Sequence, residues 1–84
     1  MTKNMIFERL VETVSAVDDG VDTSVLRLDE TPFQAYGLNS LSQLRVGVRL
    51  AEVCGVPFED SDSLLAMSPL DLVTLVERRL AGAA

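Results

Sequence analysis

Apolar residues recur every three or four positions along three separate stretches of the chain. This periodicity constrains the fold more than any other feature. Ile6, Leu10, Val14 and Val17 make one stripe, widened by Phe7 and Val11, while Glu8, Arg9, Glu12 and Ser15 lie off it. That spacing is the signature of an amphipathic helix, here about Asn4 to Val17. Asp18-Asp19-Gly20 then favours a turn. A second stretch, Leu41 to Val53, carries Leu44, Val46, Val48, Leu50 and Val53 on more than one face. Gly47 sits inside it at a cost of about 1 kcal/mol relative to Ala, which calls for something packed close by. Gly55 and Pro57 end it. The third stretch opens at Ser68-Pro69-Leu70-Asp71, a cap residue, a first-turn proline and an acid three residues on. Leu72, Val73, Val76 and Leu80 form its stripe. Arg78 and Arg79 close it where a helix dipole favours cations. Ala81 to Ala84 reads as a frayed tail.

Between the first two helices runs a long connection, Val21 to about Asn39. Its apolar residues, Val25, Leu26, Leu28, Phe33 and Tyr36, can pin it across the helix ends. A short helical turn fits within it. Glu59 to Asp62 is an acidic cap region ahead of Ser63 to Met67, long enough for one or two turns. The expected fold is all-α: a small four-helix bundle, three main helices and one short, with a long first loop. It forms a single domain over 1–84, ordered from about residue 4 to 81.

Composition narrows the function. With 84 residues the chain holds one core, and 48 % hydrophobic residues with no Trp make that core aliphatic. A net charge of −6 argues against nucleic acid and against an anionic membrane surface. The absence of His removes the commonest general base and metal ligand, so a self-contained hydrolase or zinc site is not expected. Cys54 is the single cysteine, so no intrachain disulfide forms. Neither a signal-peptide core nor a membrane-length apolar run is present in the sequence, and the expected location is the cytoplasm.

One segment carries chemistry: Phe33-Gln34-Ala35-Tyr36-Gly37-Leu38-Asn39-Ser40-Leu41, running into the second helix. A serine at a helix start lies near the positive end of the dipole, where an anion such as a phosphodiester is favoured. Ser40 with Gln43 three residues later is equally the pattern of a capping box. Asn39 is as good a cap as Ser40, and if Asn39 caps, the Ser40 hydroxyl is free. The residues alone leave both readings open.

Here the sequence resembles the acyl and peptidyl carrier protein family. The family pattern is Gly, any residue, Asp or sometimes Asn, Ser, then an apolar residue, at the start of the second helix. It reads here as Gly37-Leu38-Asn39-Ser40-Leu41. Phe33 four residues before the glycine, then Leu44, Leu50, Gly55-Val56, Phe58 and Ser68-Pro69, continue the likeness over nearly the whole chain. The resemblance implies that a phosphopantetheinyl transferase, using magnesium and coenzyme A, attaches 4'-phosphopantetheine to Ser40, flanked by Asn39 and Leu41. The arm then carries acyl, aminoacyl or peptidyl groups as thioesters. Partners would be an acyl- or aminoacyl-loading enzyme and downstream synthase or tailoring enzymes. The protein itself would be a monomer that presents cargo and not an enzyme.

Two departures matter. Asn39 replaces the more usual Asp and removes a charge beside the serine. The second helix of fatty-acid carriers is strongly acidic and docks on basic enzyme patches; here Arg45 and Arg49 appear and Glu52 is its one acid. That shifts the expected partners toward polyketide or nonribosomal peptide pathways. The docking candidates are Leu41, Ser42, Arg45, Val48, Arg49 and Glu52, each of which is also compatible with a plain solvated or packed position. Ser42 lies outside the motif and is not expected to be the attachment point. Cys54 is expected to be structural. Asp18 to Asp22 lacks the alternating ligands of a calcium loop. Two rivals share the fold: an unmodified carrier-like scaffolding domain, and an unrelated helical interaction domain, which leaves the Gly37–Leu41 motif without a reason.

Overall fold

A computed structural model describes residues 1–82. It contains four helices, α1 (Lys3–Val17), α2 (Ser40–Cys54), α3 (Asp60–Leu65) and α4 (Pro69–Gly82). Two 3-10 turns, Thr23–Val25 and Phe33–Tyr36, lie in the α1–α2 connection, and among the described residues there is no strand. No helix is long and apolar enough to cross a membrane.

The stripes read from the sequence meet in one core. Ile6, Leu10 and Val14 of α1, Val46 and Leu50 of α2, and Val73 and Val76 of α4 are fully buried. Each such side chain stabilises the fold by about 1.5–3 kcal/mol relative to exposure. Thr2 caps α1, its Oγ1 accepting the Met5 N–H at 3.3 Å. Ser68 caps α4, its Oγ accepting the Asp71 N–H at 3.1 Å. At α3, the Asp62 carboxylate accepts the Glu59 N–H at 2.8 Å.

The long connection is held as its apolar content requires. Phe33 and Leu38 are buried with Leu26, while Val25, counted as a pin, is exposed. The Phe33 N–H donates to the Met67 carbonyl at 2.8 Å and the Leu70 N–H to that of Asp29 at 3.1 Å, tying the loop to the start of α4. Within it, Asp22 accepts from the Ser24 hydroxyl and N–H, and Asp29 from the Thr31 N–H. Both carboxyls are held below their ordinary range by those bonds.

Three details differ from the sequence reading. Val53 points to solvent, and Leu44 and Val48 are only half-buried, so α2 keeps apolar surface outside the core. The expected frayed tail is helical through Gly82, helped by Ala81, since Ala is the strongest helix former; residues 83–84 lie outside the described residues. Arg79 does more than complement a dipole. Its guanidinium makes a two-pronged pair with Asp62 at 3.1 and 3.2 Å and also donates to the Pro57 carbonyl at 3.0 Å. It lies 5.5 Å above the Phe58 ring, fastening α4 to α3.

Candidate functional site

The site is assembled by the turn that feeds α2. Gly37 has φ 91°, the left-handed region that glycine enters at little cost, and so reverses the chain after the second 3-10 turn. Leu38 then drops into the core and anchors the turn. Asn39 adopts an extended backbone and caps α2, its side-chain oxygen accepting the Ser42 N–H at 2.8 Å. Ser40 is therefore the first helical residue, one position earlier than the sequence placed the helix start.

This geometry removes the cap reading of Ser40. A Ser40–Gln43 capping box does not form, because Asn39 holds the cap position. Gln43 is buried, and its amide donates to the carbonyls of Ser63, Leu64 and Ala66 at 3.3, 3.2 and 3.5 Å. Ser40 is exposed, and among the described residues its hydroxyl has no hydrogen-bond partner. A solvent-facing hydroxyl on the first turn of a fifteen-residue helix suits a phosphodiester on chemical grounds.

Gln43 also fixes what stands beside that turn. Its three carbonyl partners belong to the end of α3 and the residues after it. Leu64, Leu65 and Met67 are exposed there, on the same end of the molecule as Leu41, itself 55 % exposed. These three were not among the sequence candidates. The signal was available: four consecutive apolar residues, Leu64 to Met67, cannot all face inward where a short helix ends.

The docking candidates separate. Leu41, Arg45, Val48 and Glu52 follow one another at helical spacing on the outward side of α2, with Arg49 beside them. Leu41 is therefore not a core leucine. Ser42 is turned away: it is half-buried and donates to the Asp18 carboxylate at 3.4 Å. An open groove of about 380 Å³ runs over this face. Leu44 and Val48 supply its apolar floor and Arg45, Arg49 and Glu52 its polar sides, with Val17 and Asp60 at its edges. Cys54 is buried, and burial pushes its thiol above the ordinary range, as a structural cysteine requires.

A four-helix bundle that offers an uncommitted serine as the first residue of a long helix, and no histidine, has the form of a carrier domain. The chain belongs to the phosphopantetheine attachment site family, which it matches over residues 8–76, and its cofactor is covalently bound 4'-phosphopantetheine. The chain is also similar to solution structures of the actinorhodin acyl carrier protein from Streptomyces coelicolor. Its 3,7-dioxo-octyl form is 31 % identical with a TM-score of 0.73, covering 100 % of this chain and 95 % of the other. The acetyl form gives 31 % identity and a TM-score of 0.71 over the same shares of the two chains. No curated protein matches the chain.

Proposed function

We propose that Ser40 carries the phosphopantetheine arm and that the protein is the acyl carrier of a polyketide-type pathway. The observation that supports the serine is its uncommitted hydroxyl on the first turn of α2, beside a cap supplied by Asn39. The α2 dipole favours the phosphodiester by about 0.3–1 kcal/mol at an exposed site. When attached, the arm supplies a terminal thiol on which an acyl group rides as a thioester. The chain's own part is to hold Ser40 clear of the core, to keep its hydroxyl unpaired, and to present Leu41 and the outward face of α2 to partner enzymes. With no histidine in the sequence, the base that takes the Ser40 proton during loading belongs to the transferase.

The polyketide assignment rests on the likeness to the actinorhodin carrier, whose forms bear acetyl and oxo-substituted chains. Two arginines on α2 agree with a partner set other than that of fatty-acid carriers. Partners are then a phosphopantetheinyl transferase, an acyl-loading enzyme and the synthase, with the carrier acting as a cytoplasmic, non-catalytic monomer. Aminoacyl or peptidyl cargo would use the same arm.

The test is intact mass after incubation with coenzyme A, magnesium and a broad-specificity transferase. The wild type gains one phosphopantetheine, Ser42→Ala gains one, and Ser40→Ala gains none. Modification of Ser40→Ala, or no gain on the wild type with several transferases, overturns the assignment.

A further inference from the structure

The outward face of α2 lacks the acid surplus of the rest of the molecule. The chain carries −6 overall, yet α2 itself bears two arginines, Arg45 and Arg49, against one acid, Glu52, and Asp60 at the groove's edge brings the groove to balance and not to the acid surplus of the rest. Arg45 and Arg49 stand four residues apart on one helix, the spacing at which like charges repel. Both are exposed, and among the described residues neither has a carboxylate within ion-pair distance. Two other arginines are committed to contacts: Arg9 pairs with Glu12 within α1, and Arg79 joins α4 to Asp62 of α3. No ion pair of the fold therefore uses Arg45 or Arg49. Between and beside them lies the apolar floor of Leu44 and Val48, half-buried and open to solvent.

We infer that this face docks an acidic patch on the partner enzyme: a ring of Asp and Glu carboxylates around an apolar projection that seats on Leu44 and Val48. The inference rests on the carrier reading and names the chemistry of the partner. Charge complementarity carries it. A guanidinium presents a rigid fork that matches a carboxylate, and apolar surface at the centre with charge at the edge is the usual anatomy of a specific interface. A basic partner surface would meet two unpaired arginines there, and like-charge juxtaposition rejects wrong partners. The acid surplus elsewhere on the chain would repel an acidic enzyme in every other orientation, so these charges also set the approach.

The experiment uses the holo protein and a defined probe, the malonyl-loading transferase of a bacterial fatty-acid synthase, with its basic carrier-docking face either intact or reversed to glutamate. Intact mass first establishes the arm on Ser40. If none adds, the carrier reading itself falls, which is distinguishable from a docking failure. Holo wild type, Arg45→Glu/Arg49→Glu and a control, Arg27→Glu/Arg78→Glu, are then compared by kcat/KM for malonyl loading. The control makes the same change in net charge at two exposed sites away from α2. The expected result is a crossover. With the basic probe the α2-reversed chain outruns wild type by roughly tenfold, with the reversed probe the order inverts, and salt erases both differences. The control shows no crossover. Equal loading of wild type and the α2-reversed chain, or an equal response in the control, overturns the inference. So does a wild-type dimer in sedimentation that Arg45→Glu/Arg49→Glu abolishes, because the face would then belong to a second copy of the chain.

Discussion

Replacing Gly47 by Ala should destabilise this protein, although helix propensity alone says the reverse. In an exposed helix interior the change would add about 1 kcal/mol of stability. Gly47, however, is where α3 crosses α2. A Cβ built there would lie 1.8 Å from Ser63 Oγ, 2.5 Å from Ser63 Cβ and 3.1 Å from Ser63 Cα. Turning the serine side chain relieves the first contact and leaves the other two, so α3 must move outward. The Ser63 hydroxyl donates to the Gln43 and Leu44 carbonyls at 2.9 and 3.0 Å, and a shift of α3 lengthens both bonds. It also withdraws the carbonyls that satisfy the buried Gln43 amide. Overpacking costs about 1–3 kcal/mol, and each hydrogen bond about 0.5–1.5 kcal/mol. Set against the gain in propensity, the net loss is about 2–4 kcal/mol, a large share of the roughly 4–12 kcal/mol a chain of this size can hold.

Urea unfolding followed by circular dichroism measures this directly. The midpoint should fall for Gly47→Ala. Ser63→Gly, which removes the two nearest atoms, should be destabilising alone and should recover part of the loss when combined with Gly47→Ala. A Gly47→Ala protein as stable as wild type, or purely additive effects in the double variant, would refute the claim that the glycine exists to admit Ser63.

Asn39→Ala should cost about 1 kcal/mol through loss of the α2 cap, and hydrogen exchange at the Ser42 amide should accelerate; Asn39→Asp should keep both near wild type. Asp62 is held below the ordinary carboxylate range, first by its hydrogen bond to Arg79 and then by the Glu59 N–H. Its folded value being lowered, its stabilisation is complete above the unfolded value of about 3.9 and is lost as pH falls through the folded one. Arg79→Met should therefore lower the melting temperature at neutral pH and flatten the loss of stability below about pH 4. The Cys54 thiol is raised by burial, so its contribution has the opposite sign: present at neutral pH, lost as pH rises past the ordinary thiol range. A thiol-specific disulfide reagent should react with Cys54 only at the rate the bundle opens, and much faster in urea.

Much of this fold was legible because its three long helices each carry a stripe that points one way. Ile6, Leu10 and Val14 could be assigned to the core from spacing alone, and all three are fully buried. The second helix resisted, because period cannot tell which of two apolar faces a core will take. Val46 and Leu50 went inward, while Val48 and Val53 did not. The choice was made by partners distant in sequence: α1 on one side and Ser63 on the other. The same long-range contact bears on the cap at Ser40. Locally, Ser40 and Gln43 form as good a capping pair as any, and no rule confined to that segment rejects it. What rejects it is that Asn39 holds the cap position while Gln43 is engaged twenty residues away, by the carbonyls at the end of α3. Gly47 lets α3 approach α2 closely enough for that amide to reach. Asn39 then supplies the cap that Gln43 and Ser40 do not form. The Ser40 hydroxyl is thus left uncommitted beside the α2–α3 joint, and a change that disrupts the joint should reach Ser40 through Gln43 before it reaches the hydrophobic core.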